Sequence, residues 1–216
     1  MKPNRICTVL AWAATALMLS ACSVLPEKKP VTVYQLPLPP ISAQAGKNRP
    51  DTVPESSTAE RRVLRVNTPV ASPTLNSDRI LVSQAPYQVM AYQGVRWNDQ
   101  VPGIVRNQLV QMLRASHQWQ AVTTDATTAR ANYHLGGELT DFQVYERDGH
   151  RQVSIRLDAT LTHAQTNRII AAFPFSASRT VDGTGFDAVI GAFGDAASQL
   201  GNEVARWVAR EVNDSP

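Results

Sequence analysis

Cysteine is almost missing from this chain: of 216 residues only Cys7 and Cys22 carry a thiol, and both lie near the start. Everything after residue 22 therefore has no disulfide, no cysteine metal ligand and no cysteine nucleophile. Histidine is also thin. His117, His134, His150 and His163 are dispersed, and none has a second ligand at helical i, i+4 spacing, so no metal is expected. His134 and His163 fall on the polar phase of their segments and are expected at the exposed surface. No Gly-x-Ser-x-Gly elbow is present. Gly183-Thr184-Gly185 lacks the third glycine and the lysine of a phosphate loop and reads as hinge and helix cap. Glu138 and Asp141 are expected to be solvated rather than paired for acid–base work. These absences exclude the usual catalytic sets, so neither an enzyme nor a cofactor is expected. An excess of one charge is lacking too. The 21 Lys and Arg residues face 18 Asp and Glu, and two of the basic residues, Lys2 and Arg5, sit in the first 21 positions. That balance gives no electrostatic footprint for nucleic acid.

What is present begins at the N-terminus. Lys2 and Arg5 precede an apolar run from Ile6 to Leu19, and small residues follow up to Cys22. This three-zone layout is that of a secretory signal, and the run is short against the roughly 20 residues that cross a hydrocarbon core. Leu19-Ser20-Ala21-Cys22 resembles the bacterial lipobox. That resemblance implies cleavage after residue 21 and lipidation of Cys22, so residues 1–21 are read as a lipoprotein signal peptide. A retained signal anchor and an ordinary cleaved signal with an incidental Cys22 are the competing readings. Two acyl chains already anchor stably, so a lipidated Cys22 would hold the protein on a membrane. No second apolar run of spanning length follows.

Residues 22–61 read as a lipidated N-terminus and Pro-rich tether. Pro37, Pro39, Pro40, Pro50 and Pro54 fall in a stretch with few large apolar residues. Inside it, residues 31–36, Val-Thr-Val-Tyr-Gln-Leu, alternate like a short strand. If that strand docks, only about ten residues are free; if it does not, about 40 are, with a random-coil reach near 35 Å.

Residues 62–216 carry the patterns of a folded domain. Val63–Val66, Arg79–Val82 and Val89–Val95 are β-rich runs. Val101, Ile104, Val105, Leu109, Met112 and Leu113 then trace one helical face, with Asn98 or Asp99 as the expected cap and Pro102 in the first turn. Tyr133, Leu135, Gly137 and Leu139 share one strand phase while Phe142 and Val144 share the other, which predicts a bulge between Gly137 and Asp141. Asp148-Gly149 predicts a two-residue turn into the unbroken alternation of Val153, Ile155, Leu157, Ala159 and Leu161. Ile169–Val181 reads as an edge strand because Pro174 has no donor. A long helix with a capping box at Thr184–Asp187 follows, its apolar stripe running from Phe186 to Val208. The expected fold class is α+β: a two-layer sandwich of a largely antiparallel sheet with two amphipathic helices on one face.

The segment from Pro86 to Trp97 is dense in aromatic residues and methionine. Such residues build partner surfaces, which makes Tyr87, Met90 and Tyr92 the candidate contacts; ordinary core and hairpin packing is the competing reading. Trp97 is the better core residue of the set.

Tyr34-x-Leu36 after the lipobox, Arg79-Ile80 with Pro86 and Tyr92, Trp97 ahead of a helix, and Ala131-x-Tyr133-x-Leu135-x-Gly137-x-Leu139-x-x-Phe142 together resemble the ABC-type transport auxiliary lipoproteins. The Pro-rich stretch between Leu36 and Arg62 is longer than that family's pattern. The resemblance implies a non-enzymatic envelope component that works with an ABC permease, its ATPase and a mammalian-cell-entry (MCE) domain protein. Such systems move lipids or other hydrophobic molecules between membranes. Ser23 after the lipidated cysteine implies the periplasmic leaflet of the outer membrane, with the tether supplying reach. An accessory of another envelope machine, for lipopolysaccharide insertion or cell-wall synthesis, is the alternative, since fold does not fix function. A lipid-binding shuttle would require an apolar cavity between helices and sheet.

Overall fold

A computed structural model describes residues 30–37 and 62–214. The chain divides into two compact units, Met1–Val31 and Thr32–Pro216, and of the first only Pro30 and Val31 are described. The second unit holds, in order, β1 (Thr32–Tyr34), β2 (Val63–Val66), β3 (Val70–Ala71), β4 (Arg79–Ser83), β5 (Met90–Trp97), α1 (Val101–Ala115), β6 (Ala121–Thr124), β7 (Tyr133–Arg147), β8 (His150–His163), β9 (Arg168–Thr180) and α2 (Phe186–Asp214). The class is α+β, as expected from the patterning.

Strand β7 organises the sheet. One of its edges pairs antiparallel with β8 from Tyr133↔His163 to Arg147↔His150. The other receives β2, β3 and β4 in succession, each parallel to it. Beyond these, β6 pairs with β2, and β5 then β1 extend from β4. The sheet is thus mixed, mostly antiparallel by paired length. The parallel pairings were not expected, because each joins segments far apart in sequence and leaves no local turn signal.

The phase conflict in β7 resolves where the sequence predicts it. Its register against β8 steps from Leu139↔Leu157 to Asp141↔Arg156, which leaves Thr140 as one extra residue. That single bulge turns Phe142 and Val144 back to the face already used by Tyr133, Leu135 and Leu139, opposite the unbroken β8 series; all are buried. Gly137 has φ 145°, and a Cβ built there would lie 2.1 Å from the Asp158 carbonyl oxygen, so glycine alone fits. Asp148 and Gly149 both take positive φ, 51° and 75°, as a tight type I′ connection needs. Among the described residues the edge strand β9 pairs only with β8, and Pro174 lies in it opposite Asp158.

Helix α1 buries Val101, Ile104, Val105, Leu109, Met112 and Leu113, as the offsets imply. Its N-cap is Gln100 rather than Asn98 or Asp99, with no side-chain cap bond. The Asp99 carboxylate instead accepts from the Gln100 N–H at 2.7 Å. Helix α2 starts at Phe186, one residue later than a Thr184 cap would place it, and packs on β8, β9 and α1. At the centre, Trp97 meets Phe142 edge-on at 5.8 Å and Phe193 at 5.2 Å, while Phe142 and Phe193 stack at 4.8 Å. Aromatic pairs of this geometry add about 0.5–1.5 kcal/mol each beyond burial, and here they join β5, β7 and α2.

The segment before the Pro-rich stretch is docked. β1 pairs parallel with β5 from Thr32↔Val95 to Tyr34↔Trp97, and the Asn98 N–H donates to the Tyr34 carbonyl at 2.8 Å. The Tyr34 ring sits 5.1 Å from Phe186. Leu36 is 4% exposed, among Val105, Leu109, Ala197 and Leu200 of the two helices. Pro37 then covers Gly194, where an added Cβ would come within 3.0 Å of the proline ring. The chain is described again from Arg62, whose guanidinium donates to the Val212 carbonyl near the end of α2 at 2.9 Å. Replacing Leu36 with Ala removes the side chain wedged between the helices. It should cost about 2–4 kcal/mol, read as a lowered urea midpoint with unchanged slope.

Candidate anchor and partner surfaces

The candidate positions are not brought into one cleft. Cys22, with the residues read as a signal and most of the Pro-rich stretch, lies outside the described residues. Tyr87, Met90 and Tyr92 all belong to the β4–β5 hairpin but divide into two environments.

Tyr87 is at the hairpin tip. The Gln88 N–H donates to the Ala85 carbonyl at 3.3 Å, closing a four-residue turn with Pro86 second and Tyr87 third. Tyr87 has φ 65°, the conformation a type II turn demands at its third position and that glycine normally supplies. A bulky residue there is held against a steric cost of about 1–2 kcal/mol, and the ring gains no burial in return, being 106% exposed. Val89 and Met90 beside it are 50% and 43% exposed. Tyr92 is partly buried instead, its ring edge-on to Phe186 at 5.1 Å. Burial raises the pKa of its hydroxyl, and the Glu146 carboxylate adds to the rise. Tyr92 is therefore packing, and Tyr87, Val89 and Met90 form an exposed apolar surface at the hairpin tip.

The sheet face opposite the aromatic core has a shallow depression of about 480 Å³, lined by Asp141, Tyr145, Arg147, Gln152 and Ser154 among others. Asp141 is not simply solvated, contrary to expectation. Burial raises its pKa, against hydrogen bonds from Ser154, Tyr145 and Gln143 that favour the charged form. The Tyr145 hydroxyl donates to the Asp141 carboxylate at 3.2 Å and accepts from Gln143 Nε2 at 2.7 Å. The bulge at Thr140 explains this placement, since it tucks Asp141 between neighbouring strand side chains. His134 and His163 are also partly buried rather than exposed. His163 meets Tyr133 edge-on at 5.7 Å, and burial, with Arg65 nearby, lowers the pKa of His134.

Among the described residues no group of three or more His, Cys, Asp or Glu side chains could hold a metal ion, and no helix is long and apolar enough to cross a membrane. The void beside Leu36, between the two helices and Ile155, measures about 10 Å³, far too small for a lipid chain. The sequence left the docking of residues 31–36 open, and the structure takes the docked alternative. What sequence reasoning missed is Pro37 on Gly194 of α2, because composition assigns that proline to the tether.

Comparison with solved structures places this fold among others. A crystal structure of a Xanthomonas campestris protein superposes with a TM-score of 0.71 at 22% identity, covering 85% of this chain and 97% of that one. A Chlamydia trachomatis protein gives 0.51 at 13% identity, with 70% and 98% covered. At these identities the likeness concerns the fold. No curated protein matches the sequence. The family model described as the ABC-type transport auxiliary lipoprotein component matches residues 46–205, from within the Pro-rich stretch through most of α2. The chain belongs to that family.

Proposed function

We propose that this protein is a lipid-anchored, periplasm-facing accessory of an ABC transport system of the MCE type, moving lipids or other hydrophobic molecules across the envelope without itself catalysing a reaction. The family match carries the transport-associated role. The Leu19-Ser20-Ala21-Cys22 pattern supports an acylated Cys22, and Ser23 after it supports the outer membrane's periplasmic leaflet. The folded body is read as two layers, with two amphipathic helices on one face of the sheet. The void of about 10 Å³ between the two helices and Ile155, too small for a lipid chain, and the proposed anchor at Cys22 together support docking over carrying substrate.

The docked β1 and Leu36 favour the shorter of the two expected tethers. The Pro-rich residues 38–61 connect two points fixed on the same body, Pro37 at α2 and Arg62. In this reading the leash from Cys22 is residues 22–31 alone, with a fully extended reach of at most about 35 Å. Such a short leash keeps the body near the membrane and raises the effective concentration of its encounter with a transport partner.

Crosslinking in living cells, followed by capture and mass spectrometry, compares the wild type with Cys22→Ala. The expected result is an MCE-domain protein and its permease among the captured proteins, with the yield reduced in the unlipidated variant. Capture of lipopolysaccharide-insertion or cell-wall machinery in their place would contradict the transport role.

A further inference from the structure

We infer that the hairpin tip of Tyr87, Val89 and Met90 seats in the lipid surface that holds the acylated Cys22; this rests on reading Cys22 as the lipid anchor. The first observation is the tip itself. Its tyrosine is fully exposed in a turn conformation that glycine would hold without strain, with two half-exposed apolar neighbours. Strain retained at a residue left exposed by the rest of the described residues points to a contact beyond them.

The second observation is the direction of the strands. β5 begins at Met90, next to the tip, and β1 runs parallel to it. The first residue of β1, Thr32, is therefore its tip-ward end, level with Val95. The register of β4 shortens the remaining distance. Arg79 pairs with Arg96 while Leu81 pairs with Ala91, so the extra residues of β5 fold into an irregularity and only two β4 residues separate those levels. The leash of residues 22–31 joins the body at Thr32, from the tip-ward side of β1. A reach of at most about 35 Å would let the acyl chains it carries and the tip share one membrane surface.

The third is charge. The β7–β8 turn lies at the same end of the sheet, since Ser83 pairs with Tyr145. It offers Arg147, His150 and Arg151 beside Glu146 and Asp148. The mixture gives no strong pull toward anionic headgroups, so the contact would come from the ring and the two apolar side chains. A tyrosine with an apolar ring and a polar hydroxyl suits the headgroup boundary, where such residues concentrate.

The test uses the full chain, acylated at Cys22 and reconstituted in vesicles of phosphatidylethanolamine and phosphatidylglycerol. Gln88→Cys, beside Tyr87, and Gln165→Cys, in the turn at the opposite end of β8, are each labelled with an environment-sensitive fluorophore. The expected result is a blue-shifted Gln88→Cys probe, several-fold less accessible to iodide than the Gln165→Cys probe. Adding Tyr87→Gly should restore iodide access while raising the thermal midpoint, a combination that general unfolding cannot produce. Equal quenching of both probes on vesicle-bound protein would overturn the inference and leave the anchor standing. Shielding only in native membranes, absent in pure lipid, would overturn it in favour of a protein partner. Failure of the chain to float with the vesicles would remove the anchor and the inference together.

Discussion

The structure depends on β7 pairing along both edges at once. Its fifteen residues satisfy β8 continuously on one side and three short strands in turn on the other. A strand used this way is buried on one face and has no free edge, so its register must hold over its whole length. The β8 alternation is unbroken, and β7 meets it only by spending Thr140 as a bulge and keeping Gly137 where a side chain would strike Asp158. Both devices serve one end: Leu135, Leu139, Phe142 and Val144 reach the same core, and Phe142 arrives between Trp97 and Phe193.

From that core the N-terminal segment gains its docking site. β5 ends at Trp97 in the core, so the partner strand β1 is carried alongside α2, and Tyr34, Leu36 and Pro37 follow the helix past Phe186 and Gly194. Packing thereby selects the docked alternative for residues 31–36 and adds Pro37, the first proline of the Pro-rich stretch, to the body. The consequence for function is geometric. If Cys22 is the anchor, as proposed, a docked β1 leaves only residues 22–31 between anchor and body.

Much of this was legible in the residues. The helix faces, the phase conflict in β7, the Asp148-Gly149 turn and the edge character of β9 all follow from local periodicity and turn chemistry, and each appears at the residues that signalled it. The parallel strands were not legible. β2, β3 and β4 reach β7 across long intervening sequence, and two to five residues carry too little periodicity to name a partner. The candidate surface was half legible. Aromatic density marked the β4–β5 hairpin, but Tyr87 and Tyr92 look alike in sequence. Only the fold shows that one ring packs on Phe186 while the other meets solvent. Asp141 was misjudged for a related reason, because its burial is created by the bulge beside it.

The most direct test asks which stretch sets the distance between body and membrane. The acylated chain on vesicles, with a donor fluorophore on the body and an acceptor at the headgroups, reports that distance by energy transfer. About twelve flexible glycine and serine residues, inserted either within 22–31 or within 38–61, change one stretch at a time. The expected result is a marked loss of transfer for the first insertion and none for the second. Equal loss from both, or loss from the second alone, would contradict a body clasped at Leu36 and tethered only by the residues before it.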